Sequence, residues 1–226
     1  MFRFYASRWC PSKAVQQYFA VFGLPITLDL SNKELQKRYH AAQKVIHPDK
    51  ANANSNAESE ADTVVGDRAH PWLSRLSCSD SVTANVAYET LKSPFLRAKY
   101  LSKLLRKHKI SIKDAGTIGD LANSDTALPL DGECLAMGED ENNVSLPPAF
   151  LMECLEFNER VDELSMDTPE GKRAHSQLKV EVAEKASETE KEAIAAWNAC
   201  DDAAFHDAVH RWTYFYNLSQ QLWELE

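Results

Sequence analysis

Apolar residues recur along this chain at intervals of three and four, while strict alternation of apolar and polar positions is hard to find. The pattern predicts an all-α fold. Val15, Tyr18, Phe19 and Phe22 share one side of a short helix over residues 14–23, stopped by Gly23 and Pro25. Ser31 with Glu34 three residues on reads as a capping box, opening a helix that runs to about Ile46. At about 100° per residue, Leu35, Tyr39, Ala42 and Ile46 fall within about 60° of one another. Lys33, Lys37 and Lys44 fall on the opposite face, within about 40° of one another. A core stripe and a lysine stripe thus stand back to back.

Residues 51–78 have no sustained period and predict a long loop. Helical spacing resumes at about Asp80, with Val82, Val86, Ala87 and Leu91 assigned to one face, and breaks at Ser93-Pro94. A basic helix follows, with Leu96, Tyr100, Leu101, Leu104 and Leu105 apolar. From Lys92 to Lys113 there are eight Lys and Arg and no acid. Residues 114–147 are acidic and rich in turn formers, as a linker is. Three helices are predicted beyond it: from Pro147 or Pro148 to Leu164, from Pro169 to Ala199 behind Thr168, and from about Asp202 to Leu225 behind Asp201. Their short connections imply an antiparallel three-helix bundle.

Within that bundle, Phe150, Cys154, Phe157, Val161 and Leu164 cluster within about 80° and form a core stripe. Leu151, Met152 and Leu155 lie about 80–180° from its centre, among Glu156, Glu159, Asp162 and Glu163. In the last helix Phe205, Val209, Trp212, Phe215, Tyr216 and Trp223 are assigned to one face and Tyr214 to the opposite one. A leucine pair and a tyrosine in excess of a core suit a small hot spot for a partner. Packing of the basic helix 94–109 over the same patch accounts for them equally well, and periodicity leaves both open.

Composition narrows the function. The 226 residues are 44% hydrophobic, with 7 Gly and 9 Pro, which excludes collagen and Pro/Gly-rich disorder. No apolar run approaches the roughly 18 residues of a transmembrane helix, so no membrane partner is expected. A net charge of -9 argues against nucleic acid, whose binding rests on Lys and Arg. That charge is the difference of two opposed halves: 18 Lys and Arg against 9 acids in residues 1–113, then 7 against 25 in residues 114–226. Five cysteines at 10, 78, 134, 154 and 200 form no CxxC, and read as free thiols. His206 and His210 have zinc-ligand spacing without an HExxH motif, and no GxGxxG, Walker A or nucleophile elbow occurs. No cofactor, metal or enzymatic activity is expected. The first acid is Asp29; before it, Arg3, Arg8 and Lys13 stand among Phe2, Phe4, Tyr5 and Trp9. Residues 1–13 therefore have the composition of a mitochondrial targeting segment, which predicts a matrix location.

His47-Pro48-Asp49 stands where the lysine-faced helix ends. Pro48 biases His47 out of the α region, so the helix stops and presents its loop. Asp49 offers a carboxylate that a partner arginine would grip bidentately. A short aromatic helix, a lysine-faced helix, this turn, and a third helix ending near Ser93-Pro94 together resemble a J-domain. That is the part of DnaJ-like co-chaperones that docks on 70-kDa heat-shock ATPases. The resemblance implies an antiparallel helical hairpin over residues 14–110, interrupted by the loop at 51–78. It also implies that His47, Pro48 and Asp49 are needed to stimulate the chaperone, whose own residues cleave ATP. Lys33, Lys37 and Lys44 would meet an acidic face of that chaperone, giving orientation and fast encounter more than affinity.

A J-domain, an acidic linker over 111–146 and a three-helix bundle over 147–226 are similar to the HscB/Jac co-chaperones of iron–sulfur cluster biogenesis. YETLKSPFLRAKYL matches the family's helix after the HPD loop and its run into the next; LPPAFLMECLEFNERVDEL and RWTYFYNL match the first and last helices of its C-terminal domain. The resemblance spans about 14–50, 80–110 and 147–226. It implies a bundle that binds the IscU-type cluster scaffold and delivers it to a mitochondrial 70-kDa chaperone. The matching scaffold-contacting positions are Phe150, Leu151, Leu155, Glu156, Glu159 and Tyr214. Glu153 and Arg160 carry charges opposite to those of the yeast-type pattern, and the stretches 51–78 and 110–147 exceed the family's usual lengths. The alternative is a general J-domain co-chaperone with a different protein client. The Gly/Phe-rich linker or CxxCxGxG repeats usual in such proteins are absent.

Overall fold

The computed structural model describes residues 18–46, 73, 81–115 and 146–225. The targeting segment, His47-Pro48-Asp49, nearly all of the 51–78 loop and most of the acidic linker lie outside the described residues. Every regular element among the described residues is helical, in agreement with the all-α expectation. The elements are α1 (Tyr18–Val21), α2 (Asn32–Ile46), α3 (Ser81–Lys92), α4 (Pro94–His108), a 3₁₀ turn (Ile112–Asp114), α5 (Pro148–Asp162), α6 (Pro169–Ala199) and α7 (Asp202–Glu224). They divide into two compact units. One holds α1, α2 and α3 up to Glu89; the other holds residues 27–30, Thr90–Ala115 and α5–α7.

In the first unit, α1 ends in a reversal at Gly23, whose φ of 58° favours glycine. Leu24 N donates to Phe19 O at 2.9 Å and Gly23 N to Ala20 O at 3.1 Å, the paired bonds of a Schellman end. Arg38 of α2 secures that turn, with Nη1 donating to the carbonyls of Phe22 and Gly23, while its Nε bonds Glu34 at 2.7 Å. Leu35, Ala42 and Ile46 are fully buried, as their spacing predicts. Tyr39 stacks on Tyr88 with ring centroids 4.1 Å apart, and both Tyr39 Oη and Gln43 Nε2 donate to Asn85 Oδ1. Positions 39 and 43 thus meet 88 and 85 in reverse order, so α2 and α3 form an antiparallel hairpin. The expected face of α3 is corrected: Ala84, Ala87 and Leu91 are buried, whereas Val82 and Val86 are exposed. Those valines lie about 160–200° round from Ala84, and their apolar character outweighed their angle in the sequence reading.

In the second unit, Ser93 caps α4 and Pro94 occupies its first turn, where a missing N–H costs nothing. Helix α4 runs antiparallel to α7. Phe95 stacks on Tyr216 at 4.0 Å, Ser102 Oγ lies 2.7 Å from His206 Nδ1, and Asp202 accepts from Ser111 Oγ and Ile112 N, each at 2.7 Å. Thr168 caps α6 by accepting from Gly171 N at 3.0 Å. Gly171 is obligatory there, since a Cβ would stand 1.8 Å from Ser165 O. Cys200, with φ 55°, and the cap Asp201 turn α6 back into α7. The α6–α7 pair is antiparallel from Trp197 against Phe205 to His175, whose Nε2 meets Leu222 O at 2.7 Å.

The bundle core gathers Phe150, Phe157 and Val161 of α5, Leu178 and Val182 of α6, and Phe215, Leu218 and Leu222 of α7. Trp223 is not among them, contrary to its assigned face. It is 60% exposed, with Lys179 Nζ 3.4 Å above its ring. Eight residues beyond Phe215, it has drifted about 80° off the stripe, and Leu222, seven residues on, takes the place. Cys154 and Cys200 are free thiols, as expected.

Candidate interaction surfaces

Helix α5 presents Phe157 and Val161 inward and a second apolar set outward. Leu151, Met152 and Leu155 remain 48%, 68% and 57% exposed. Around them stand the exposed carboxylates of Glu156, Glu159, Asp162 and Glu163. The two explanations left open by periodicity are separated here. Helix α4 lies along α7 through Phe95, Ser102 and the loop at Ser111, and does not cover the leucines.

Tyr214 joins this patch from α7. It is half-buried rather than opposite the core: its ring meets Phe150 edge-on at 5.7 Å, and Oη donates to Cys154 O at 2.9 Å. A second contact reaches Asn158 Oδ1 at 3.3 Å. Burial pushes the Tyr214 phenol well above its ordinary range and the Cys154 thiol up to about 11, so both are neutral at physiological pH. Phe150 itself is buried and belongs to the core; it supports Tyr214 from beneath and lines the groove beside α5. Of the six expected scaffold positions, Leu151, Leu155, Glu156 and Glu159 are thus exposed, Tyr214 is partly so, and Phe150 is not.

The two reversed charges of α5 have partners inside the bundle. Glu153 bonds Lys185 at 2.8 Å and Arg160 bonds Glu181 at 2.6 Å, both across to α6. The hydrogen bond from Arg160 holds the Glu181 carboxyl below its usual range, and the one that Lys185 donates to Glu153 raises Lys185. Both pairs are partly exposed and contribute about 0–1 kcal/mol each, so they set register more than stability. Positions 153 against 185 and 160 against 181 also establish that α5 and α6 are antiparallel.

Met152, the most exposed apolar residue of the patch, belongs to the same surface although the sequence reading kept it out of the contact set. Asp207 and Arg211 of α7 went unnoticed and line a groove beside it. Their i, i+4 opposite charges were the signal available in the sequence. His206 and His210 face Ser102 and Arg106 of α4, at 2.7 and 3.2 Å. No cluster of His, Cys, Asp and Glu suited to a metal ion occurs among the described residues, and no described helix is long and apolar enough to cross a membrane.

On α2, Lys33, Lys37 and Lys44 are all exposed, on the side away from the buried Leu35, Ala42 and Ile46. The helix ends at Ile46, directly before His47. The structure places the three lysines but not the tripeptide, which lies outside the described residues.

Residues 146–222 match the family described as the HSCB C-terminal oligomerisation domain. Over most of its length the chain is similar to curated bacterial proteins named co-chaperone protein HscB homolog. The one from Bordetella avium is 27% identical over 214 residues, covering 92% of this chain and 96% of the relative. The one from Chromobacterium violaceum is 28% identical over 175 residues, covering 77% and 75%. Among solved structures, human co-chaperone protein HscB aligns at TM-score 0.61 and 19% identity, covering 96% of this chain and 83% of that one. Jac1 co-chaperone from Saccharomyces cerevisiae aligns at 0.51 and 20%, covering 92% and 96%; both likenesses concern the fold. The expected mitochondrial matrix location does not stand. The curated relatives named are bacterial, from cells without mitochondria, and an acid-free segment with three basic residues is too common a composition to outweigh them.

Proposed function

The chain is of the HscB type, and from that premise we propose that it is a co-chaperone coupling an iron–sulfur cluster scaffold to a 70-kDa heat-shock chaperone. The scaffold, of IscU type, binds α5 and α7 through Leu151, Leu155, Glu156, Glu159 and Tyr214, with Phe150 as the support beneath. The chaperone's ATPase domain docks on Lys33, Lys37 and Lys44 and on His47, Pro48 and Asp49. Neither event is catalysis by this chain. Holding client and ATPase on one molecule raises the effective concentration of each for the other, and ATP cleavage remains the chaperone's chemistry.

The observation that supports this reading best is the exposed Leu151–Leu155 pair. The core is complete without it, α4 does not cover it, and an acidic rim surrounds it. Such a patch suits a folded partner with apolar and basic residues. Two variants separate the two contacts. Asp49→Ala is expected to abolish ATPase stimulation while scaffold pull-down persists; Leu151→Ala with Leu155→Ala is expected to do the reverse. Stimulation surviving the first, or full pull-down surviving the second, refutes the corresponding half.

A further inference from the structure

Helix α5 has 15 residues and α6 has 31. The pairs Glu153–Lys185 and Arg160–Glu181 set α5 antiparallel to α6 with Glu153 near the middle of α6, so the α6–α7 pair continues beyond Pro148 without it. One face of that continuing α7 is occupied by α4, through Asp202, His206 and His210. Asp207 and Arg211 lie about 100° round from that face. With Pro147, Ala149, Met152 and Glu156 they line an open groove of about 850 Å³, which also reaches the exposed Leu155.

The charges in the groove do not cancel. Arg211 is held by Glu192 at 2.7 Å and Asp207 at 3.2 Å, and Glu153 by Lys185. Glu156 and Glu159 form no ion pair with a described residue. Among the lining residues Glu153, Glu156, Glu159 and Asp207 outnumber Arg211, and Arg160 bears on Glu156 from the next turn, so an apolar floor carries a net negative charge along its walls. Arg211 Nη2 is held by Glu192, whereas its Nε lies near Asp207 without a hydrogen bond to it, so Asp207 is free to turn to an incoming cation while Glu192 keeps the arginine.

We propose that this groove takes a lysine- or arginine-bearing segment of the same scaffold that covers Leu151 and Leu155, with Asp207 as the selecting residue; the inference rests on the scaffold-binding reading above. The aliphatic stem of the basic side chain lies along Pro147 and Met152, and its head reaches Glu156 and Asp207. The leucine patch supplies the anchor, and the groove sets the register of the partner and makes association salt-sensitive.

The test is calorimetric titration of the full chain with purified IscU-type scaffold at low and raised salt, with thermal melts alongside. Asp207→Lys combined with Glu156→Lys is expected to raise Kd about tenfold and to flatten its salt dependence. Ala149→Trp, at an exposed position, fills the groove without changing its charge and is expected to weaken binding comparably at both salts. The proposal requires both effects. If Leu151→Ala with Leu155→Ala weakens binding while either groove variant does not, the groove is overturned and the leucine site stands. If the leucine variant also binds normally, the scaffold reading itself has failed. Should the lysine variant lose its melting transition, Ala149→Trp decides alone.

Discussion

Leu155→Ala gives the sharpest separation between a docking surface and a core. Full burial of a leucine contributes about 1.5–3 kcal/mol, and Leu155 still has 57% of its surface open. A partner that covers it therefore gains about 1–1.5 kcal/mol, so truncation is expected to raise Kd about five- to tenfold. Leu151, at 48%, is expected to behave alike. The two are neighbours at i, i+4, so the double variant need not equal the sum of the singles. Stability is expected to be nearly untouched, within about 0.5 kcal/mol, because neither side chain belongs to the bundle core. Phe157→Ala is the contrasting control: it removes a buried ring packed on Phe215 and is expected to cost about 3–5 kcal/mol of folding free energy. Titration calorimetry against purified scaffold, paired with denaturant melts, reads both quantities. An unchanged Kd with unchanged stability would refute the docking role of Leu155. A fall in stability comparable with that of Phe157→Ala would show that the leucine is core after all.

Three further outcomes follow from local geometry. Gly171→Ala drives a Cβ into Ser165 O and is expected to lose at least about 1–3 kcal/mol in denaturant melts; a neutral result would mean the turn before α6 can relax. His206 is held below its usual value near 6.5 by burial first and then by Arg106 and His210, against the opposing pull of Asp202, with Ser102 the uncharged partner across α4. The folded state thus binds its proton less readily than the unfolded chain, so its contribution is complete above about pH 6.5 and is lost as pH falls below it. Stability curves at pH 7.5 and 5.5 are expected to converge in His206→Gln relative to the wild type; equal pH dependence in both would exclude the residue as a source. Glu153→Lys is expected to lose up to about 1 kcal/mol and to regain it on adding Lys185→Glu, the signature of a cycle across α5 and α6 that a long-range charge effect would not give.

What could be read without coordinates was local. Caps, proline positions and helical spacing placed Ser93, Pro94, Thr168 and Asp201 at the helix starts where they are found. The same spacing separated Phe157 from Leu155, because core and surface lie on different sides of a single helix. Periodicity misleads where register drifts or apolarity conflicts with angle: Trp223, eight residues beyond Phe215, leaves its stripe, and Val82 is apolar yet lies on the exposed side of α3. Arg211 and Asp207 have no part in the sequence reading, since nothing in their vicinity along the chain reveals Glu192 or the end of α5.

The sequence by itself determined the helices, their ends, the charge opposition between the two halves and the existence of an apolar set in excess of the bundle core, since each depends on residues within a few turns of one another. Only the tertiary structure decided whether α4 or a partner is available to cover that set, why Glu153 and Arg160 bear their signs, and where Asp207 lies relative to Met152. Those questions turn on residues tens of positions apart, such as Glu153 and Lys185 or Ser102 and His206. Contacts of that kind form when faces pack, and helical periodicity along one segment carries no record of which face another segment presents.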